Sequence, residues 1–299
     1  MILISDLNLL FGSRAIFNDL NLSIIESDRI GLVGRNGSGK STLLKMIAGK
    51  QKFDSGAISI VGKKRVAYLD QDLIISSDLS IIDFVVKESL KDPIVALDIE
   101  AKIIAQADKI LRGLGFAEEK LLESVNTLSG GWKMRVYLAY LLLLKADFYL
   151  FDEPVNHLDI ISKDWFLKFL KNSNFGFLIV CHEKYFLNVL CNKIFALDSP
   201  DGKLYNGNYD LYVVQAEENL RILEEQAVQQ DKMIKKKQEA IDKFKSGTRA
   251  KQAQSMIKQL ERIERIIPPR SHANIHISLP EIKKKRKNSF RCKKFIWWI

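Results

Sequence analysis

Short, continuously apolar segments alternate with helix-like segments over the first 205 residues. Apolar runs at residues 30–34, 147–152 and 175–182 have the length of buried strands. Residues 40–50 carry the spacing of a helix, and the pattern is helical between residues 75 and 125. We therefore expect an α/β domain over residues 1–205, with a helical subdomain at about 75–140.

The pattern changes after residue 205 to apolar positions spaced three, four and seven apart. The first stretch contains Val213, Ala216, Leu220, Leu223, Ala227, Ile234 and Ile241. After an interruption at residues 245–252, the second contains Ala253, Met256, Leu260, Ile263 and Ile267, before Pro268 and Pro269. This spacing predicts two antiparallel helices over residues 206–269, the first about 50 Å long at ~1.5 Å per residue. An ordinary solvent-exposed hairpin is the alternative. Residues 270–299 show no periodicity, and we expect them to be irregular.

Composition is that of a soluble globular protein, with 47% hydrophobic and 27% charged residues in a chain of 299. The apolar run at residues 136–144 is too short to span a bilayer, and the first residues lack the basic region of a secretory signal. Cys181, Cys191 and Cys292 fit neither a disulfide framework nor a metal site. These features favour a cytoplasmic protein.

The net charge of +10 is concentrated in segments. Residues 283–294 hold eight Lys or Arg and no acid, so the rest of the chain carries about +2. Residues 232–258 hold nine basic residues against two acidic ones. A basic hairpin of this kind suits a phosphate backbone and would bind it in a salt-dependent way.

A phosphate-binding loop is predicted at residues 34–41, GRNGSGKS, which match G-x-x-x-x-G-K-[ST] between a strand and a helix. The glycines let backbone amides close around phosphate oxygens, and the helix N-terminus adds a partial positive charge. Lys40 would reach the β- and γ-phosphates, and the Ser41 hydroxyl would ligate Mg²⁺. The expected cofactor-binding residues here are Gly34, Arg35, Asn36, Gly37, Ser38, Gly39, Lys40, Ser41 and Thr42.

Two adjacent carboxylates, Asp152 and Glu153, follow the apolar residues of the predicted strand at 147–152. Buried strands rarely end in this way, and ligands of parallel α/β sheets bind at the carboxyl ends of strands. A carboxylate ending a strand next to the phosphate loop can hold Mg²⁺, and a second can polarise an attacking water. We assign Asp152 to the metal and Glu153 to the water.

A second anion site is predicted at Ser129, Gly130 and Gly131, which precede a helix. One nucleotide does not need two such sites, unless they serve different nucleotides or different faces of one. 

The phosphate loop, the glycine pair after Ser129 and the strand that ends in two carboxylates follow one another along the chain. Together they resemble the nucleotide-binding domain of ATP-binding-cassette (ABC) proteins, a P-loop NTPase fold, over residues 1 to about 200. The resemblance implies that Phe11 stacks on adenine and that Gln71 senses Mg²⁺ and the γ-phosphate. It also implies that Ser129–Gly131 form the signature loop, that Asp159 belongs to a loop at the dimer interface, and that His182 is the switch histidine. Taken alone, Phe11 fits core packing almost as well, and His182 fits a structural histidine at a strand end.

Within this family, three segments resemble the ABC-F group, which acts on ribosomes: DEPVNHLD, HEKYFLN, and YNGNYDLY followed by the basic hairpin. The implied partner is the ribosome, through rRNA or tRNA. The hairpin tip would provide the contact through Lys243, Lys245, Arg249 and Lys251. The ATPase subunit of a membrane transporter is the alternative, although such a subunit has no use for the hairpin. Val155, Cys181 and Glu183 depart from the family's usual Thr, Ser and Asp, and none removes a catalytic group.

The family places ATP between the phosphate loop of one cassette and the signature loop of another. The resemblance therefore implies a second cassette, from an identical chain or from a missing half, and hydrolysis that depends on pairing. ABC-F proteins carry two cassettes in one chain, and the pattern here fails after residues 272–281. The tail at residues 283–299 is either a basic, aromatic-ended segment for nucleic acid or membrane, or the result of a frameshift that left an inactive fragment.

Overall fold

The structure is a computed structural model that describes residues 1–62, 64–70, 75–245 and 250–261, together with residues 263 and 265. The chain divides into two compact units, Met1–Asn219 and a second that begins at Leu220. Within the described residues, no helix is long and apolar enough to cross a membrane.

The first unit is an α/β structure, as the sequence predicts. Its strands are β1 (Ile2–Phe11), β2 (Arg14–Ile24), β3 (Arg29–Val33), β4 (Ser55–Ile60), β5 (Val66–Leu69), β6 (Phe148–Asp152), β7 (Gly176–Val180), β8 (Lys193–Ala196) and β9 (Lys203–Asn206). Its shorter helices are α1 (Lys40–Ile47), α2 (Ile81–Leu90), α3 (Glu100–Gly113), α4 (Gly130–Leu143), α5 (Ile160–Lys171) and α6 (Lys184–Leu190).

A six-stranded sheet with the order β5-β6-β7-β3-β8-β9 carries the candidate site. The first five strands in this order are parallel, and β9 pairs antiparallel with β8. Strand β7 lies between β3, which enters the phosphate loop, and β6, which ends in Asp152. One strand therefore separates the two strands of the candidate site, and helix α1, which follows the phosphate loop, packs against β6.

The central strands are apolar throughout because both faces of the sheet are covered. On β6, Tyr149 and Phe151 enter one hydrophobic cluster, while Phe148 and Leu150 enter another. The first cluster also contains the apolar faces of α2, α3, α4 and α5. The second contains α1 together with β1 and β2.

A three-stranded antiparallel sheet with the order β2-β1-β4 was not predicted specifically. Its strands lose the regular alternation of inward and outward residues, because the β1–β2 pairing shifts register three times between Ile4 and Leu10. Asp6 and Asp19 have φ values of 46° and 50° at these irregular positions. A pattern search that requires strict alternation therefore misses these strands.

Both helices predicted after residue 205 are present, as α7 (Tyr209–Lys245) and α8 (Ala250–Glu261). In the second unit, Ile234 of α7 and Leu260 of α8 line one cavity of about 260 Å³. On α7, the predicted apolar position Ile241 is fully buried, whereas Val214 and Val228 lie on exposed faces. The predicted domain boundaries remain predictions, and residues 266–299, which include the basic tail, lie outside the described residues.

Candidate functional site

The predicted phosphate loop lies between β3 and α1, where the sequence places it. Gly34 has φ 150°, and a Cβ there would lie 2.8 Å from the Leu197 carbonyl oxygen and from Ser38 Oγ. Only glycine therefore fits at the entrance of the loop. Gly39 is the N-cap of α1 and makes no side-chain capping hydrogen bond. The first backbone N–H groups of the helix are therefore not capped by the residue at that position.

Lys40 is 8% exposed and folds back over its own loop. Its Nζ donates hydrogen bonds to the carbonyl oxygens of Gly34 (2.9 Å) and Arg35 (3.0 Å). Burial lowers the pKa of Lys40, and the carboxylates of Glu153, Asp152 and Asp198 oppose that shift. The Lys40 ammonium is therefore close enough to interact electrostatically with Asp152, the predicted metal ligand, and with Glu153, the predicted catalytic residue.

Asp152 is the last residue of β6 and is 2% exposed. Neither of its carboxylate oxygens has a hydrogen-bond partner among the described residues. Burial raises its pKa above the ordinary 3.8, and the Ser41 side chain opposes this rise. A buried carboxylate without a partner is costly unless a cation occupies the site.

These residues fit a bound Mg²⁺ ion. Carboxylate and hydroxyl oxygens are its preferred ligands, and it is commonly held by one or two protein groups together with substrate phosphates. Asp152 and Ser41 provide such a pair beside the phosphate loop. The described residues contain no cluster of three His, Cys, Asp or Glu that could hold a metal by itself.

Glu153 follows directly, in a left-handed conformation with φ 51° that is strained for a residue with a side chain. Its backbone N–H donates to the Val180 carbonyl oxygen at 3.1 Å, which ties it to the end of β7. Its Oε1 lies 3.2 Å from His182 Nε2, and its Oε2 accepts a short hydrogen bond from Asn156 Nδ2. The Glu153 carboxylate is thereby oriented from both sides.

His182 lies two residues beyond β7 and is mostly exposed, its side chain being 57% accessible. A cavity of about 150 Å³ separates this region from the phosphate loop. Its lining includes Gly34, Lys40, Cys181, His182, Lys184 and Tyr209. The structure therefore brings His182, Glu153 and Lys40 to one end of the sheet, as the sequence predicts for a nucleotide site.

Two other residues predicted for the nucleotide site have different outcomes. Phe11 ends β1 and is 57% exposed, so core packing, which the sequence left open, is wrong for this residue. Stacking of Phe11 on adenine stays a prediction. Gln71 lies outside the described residues, so its predicted contact with Mg²⁺ also stays a prediction.

The predicted signature loop precedes α4. Ser129 is the N-cap of α4, is exposed, and makes no side-chain capping hydrogen bond. Gly130 and Gly131 begin the helix, and a Cβ on Gly131 would lie 3.5 Å from His157 Nδ1. Ser129, Gly130 and Gly131 therefore lie at a helix N-terminus, as the sequence predicts.

Asp159 caps α5 by accepting a 2.9 Å hydrogen bond from the Ser162 N–H. That hydrogen bond lowers the pKa of Asp159, and Arg135 contributes in the same direction.

Sequence reasoning missed Arg135, Asn156 and Arg14, whose Nη2 lies 3.3 Å from the Gly37 carbonyl oxygen. Their roles depend on contacts between segments, for which one sequence gives no signal.

Comparison with known proteins agrees with this geometry. A family model described as an ABC transporter matches residues 17–156, and a second model with the same description, for an extension, matches residues 195–278. The probable ATP-binding protein YheS of Escherichia coli K12 is 32% identical over 90% of this chain and 46% of its own length. The putative ATP-binding protein YdiF of Bacillus subtilis 168 is 33% identical over 92% of this chain and 49% of its own length. The chain thus spans about half the length of these curated relatives.

Solved structures of similar fold are ABC cassettes. One is a dimeric, post-hydrolysis state of the cassette MJ0796 bound to ADP and Pi, with a TM-score of 0.59 and 20% identity over 69% of this chain and 98% of that one. Another is an ATP-binding subunit of an ABC transporter, with a TM-score of 0.59 and 21% identity over 70% of this chain and 90% of that one. Together with the family models and relatives, they show that the chain belongs to the ATP-binding-cassette family of P-loop ATPases and is similar to ABC-F-like ATP-binding proteins.

Proposed function

We propose that this chain binds Mg-ATP at the loop of Lys40 and hydrolyses it with Glu153 as the residue that polarises the attacking water. The observation that carries the proposal is the buried, unpartnered carboxylate of Asp152, one residue before Glu153 and close to Lys40. Such a group is destabilising by itself, and a nucleotide-bound cation would neutralise it. When bound, Mg²⁺ would be held by Asp152 and Ser41 and would offset the negative charge of the phosphates.

Residues of the chain bind the nucleotide and activate the attacking water. Backbone amides of residues 34–42 and the Lys40 ammonium bind the phosphates, and Phe11 stacks on the base. Glu153 accepts a proton from water while the water oxygen bonds to the γ-phosphorus, and the bond to the bridging oxygen of ADP breaks. His182, at 3.2 Å from Glu153, helps to orient that carboxylate.

A complete site requires a second cassette. The signature residues Ser129–Gly131 would contact the nucleotide of the partner, and Asp159 would lie at the interface. Support comes from the dimers observed for MJ0796. The simplest partner is an identical chain in a head-to-tail arrangement, in which each phosphate loop faces the other chain's signature loop.

We further propose a cytoplasmic role on the ribosome, with the basic hairpin contacting rRNA or tRNA while ATP holds the cassettes together. The similarity to YheS and YdiF and the basic segment at residues 232–258 support this role. The competing function, the ATPase subunit of a membrane transporter, would copurify with a membrane partner. Ribosome co-sedimentation separates the two functions.

The first test is phosphate release by Glu153→Gln protein. We expect ATP affinity within a few-fold of wild type and a turnover reduced by about 10²–10⁴, the usual contribution of a general base. The matched control is Glu183→Gln, because Glu183 is also near the site but pairs with Lys163 instead of His182. Turnover by Glu153→Gln equal to that of wild type would remove Glu153 from its proposed role.

A further inference from the structure

The side chain of Arg135 joins three separate segments of the first unit. Arg135 lies on α4, the helix that begins at the signature loop, and is 8% exposed. Its Nε donates to the His157 carbonyl oxygen at 2.8 Å. Its Nη1 donates to the Leu114 carbonyl oxygen and to Asp159 Oδ2, both at 3.0 Å. We call these four residues the Arg135 junction.

The junction holds the loop that carries Glu153. Residues 153–159 connect β6 to α5, and the Arg135 acceptors His157 and Asp159 lie at the far end of that loop. The intervening turn is short and internally bonded, with the Asn156 N–H donating to the Glu153 carbonyl oxygen at 3.3 Å. A displacement of α4 would therefore be transmitted through Arg135 to the position of the Glu153 carboxylate.

The surroundings of Arg135 restrict it to this arrangement. Its guanidinium lies 4.4 Å from the centroid of the Trp132 ring, one turn earlier on α4. Gly115, with φ 93°, leaves room for it, because a Cβ there would lie 2.8 Å from Arg135 Nη1. The planar fork of arginine reaches these three acceptors from two separate nitrogens, a geometry that the single ammonium of lysine does not reproduce.

We propose that Arg135 is a positioning residue that couples the signature helix to the catalytic loop, so that engagement of Ser129 by a partner's nucleotide controls the placement of Glu153. This inference rests on the proposed ATP hydrolysis. Arg135 itself contacts neither the phosphate loop nor, in the described residues, Glu153. Its loss therefore impairs turnover and leaves nucleotide binding by the phosphate loop intact.

The test compares Arg135→Lys with Val136→Ala. Val136 is the next residue on α4 and is fully buried, so its truncation destabilises the same helix without touching the junction. We expect Arg135→Lys to lower kcat at least tenfold, with KM and the Kd for ATP within about twofold of wild type. We expect Val136→Ala to lower the melting temperature and to keep the wild-type kcat. Equal kcat for the two variants at matched stability would overturn the proposal.

A second variant keeps the test decisive if Arg135→Lys folds poorly. Asp159→Asn removes one charge from the junction but retains a good N-cap for α5. Because it breaks the contact from the Asp159 side of the junction, this variant should also lower kcat, with the Kd for ATP within about twofold of wild type. A wild-type kcat in Asp159→Asn would contradict the proposal. If wild-type protein releases no phosphate at all, the proposed function fails before the junction is tested.

Discussion

Asp152 shows how a single residue can be unfavourable for the fold and useful for the site. Its carboxylate is buried at the end of the central strand β6 and lacks a hydrogen-bond partner among the described residues. Such a group destabilises a protein that has no ligand bound. A ligand that neutralises this charge would explain its presence. Substitution of Asp152 is therefore expected to raise the free energy of unfolding of the nucleotide-free protein.

We predict that Asp152→Asn stabilises the nucleotide-free protein, by about 1–3 kcal/mol, because the cost of burying this charge outweighs the opposing contribution of the Ser41 side chain. The matched control is Asp147→Asn, just before the same strand. The Asp147 carboxylate accepts hydrogen bonds from the Arg65 N–H and the Lys64 ammonium, which lower its pKa. That substitution should destabilise the protein. Urea denaturation at pH 7 measures both effects, and a destabilised Asp152→Asn would contradict this account.

The pH dependence of the Asp152 effect follows from its raised pKa. The folded protein holds this proton more tightly than the unfolded chain, whose Asp pKa is near 3.8. Wild-type stability therefore falls as the pH rises from 3.8 through the folded pKa of Asp152. The advantage of Asp152→Asn should be largest at neutral pH and shrink as the pH approaches 3.8. A constant difference would show that Asp152 does not titrate differently on folding.

At the scale of one element, the first turn of helix α7, which belongs to the first unit, is held by side-chain hydrogen bonds. Asn208 Oδ1 accepts from the Leu211 N–H at 3.1 Å, and Asn188 Oδ1 accepts from the Asp210 N–H at 2.9 Å. The Tyr212 hydroxyl lies 3.2 Å from Asp198 Oδ2. Asn208 thus acts as the N-cap of α7, and Asn188 anchors the same turn to α6.

We predict that Asn208→Ala weakens the first turn of α7, at a cost of about 1 kcal/mol, because it leaves the Leu211 N–H without its cap. Asn208→Asp should preserve the cap and favour the helix dipole, so it serves as the control. Hydrogen exchange of the amides at residues 210–212 measures the local effect. Unchanged exchange in the alanine variant would mean that the anchor from Asn188 alone holds the turn.

At the scale of the whole molecule, the prediction concerns pairing of cassettes. Glu153→Gln should trap an ATP-bound dimer, because binding proceeds while hydrolysis is blocked. Sedimentation velocity should show a shift from monomer to dimer on addition of Mg-ATP. A Lys40→Ala, Glu153→Gln double variant, which lacks the phosphate-binding ammonium, should stay monomeric. A monomer under both conditions would mean that an identical chain does not provide the second cassette.

The basic hairpin leads to a second prediction at this scale. Changing the four tip residues Lys243, Lys245, Arg249 and Lys251 to Glu should abolish ribosome co-sedimentation and weaken binding to RNA at all sequences. Each lost phosphate contact should reduce the slope of log K against log salt by about 0.7–0.9. A control with Lys87, Lys91, Arg112 and Lys168 changed to Glu alters the net charge equally but lies in the first unit. Unaffected co-sedimentation of the tip variant would count against the ribosomal role.

Most of the elements and the chemical groups of the site can be read from local spacing in the sequence. Local spacing predicts phosphate and metal binding at residues 34–41, 129–131 and 152–153. The apolar spacing after residue 205 predicts α7 and α8. These features depend on residues close together in the chain, so their physical meaning is readable without a fold.

The way in which these groups come together depends on the packing of distant segments. The fold places β7 between the two strands of the site and leaves both carboxylate oxygens of Asp152 without a hydrogen-bond partner among the described residues. It also brings Arg135 into contact with the loop of Glu153. It also showed that Phe11 is exposed and that β1 and β2 pair through irregular registers. Such properties arise from contacts between distant segments and from burial, and neither is encoded in the spacing of any one segment.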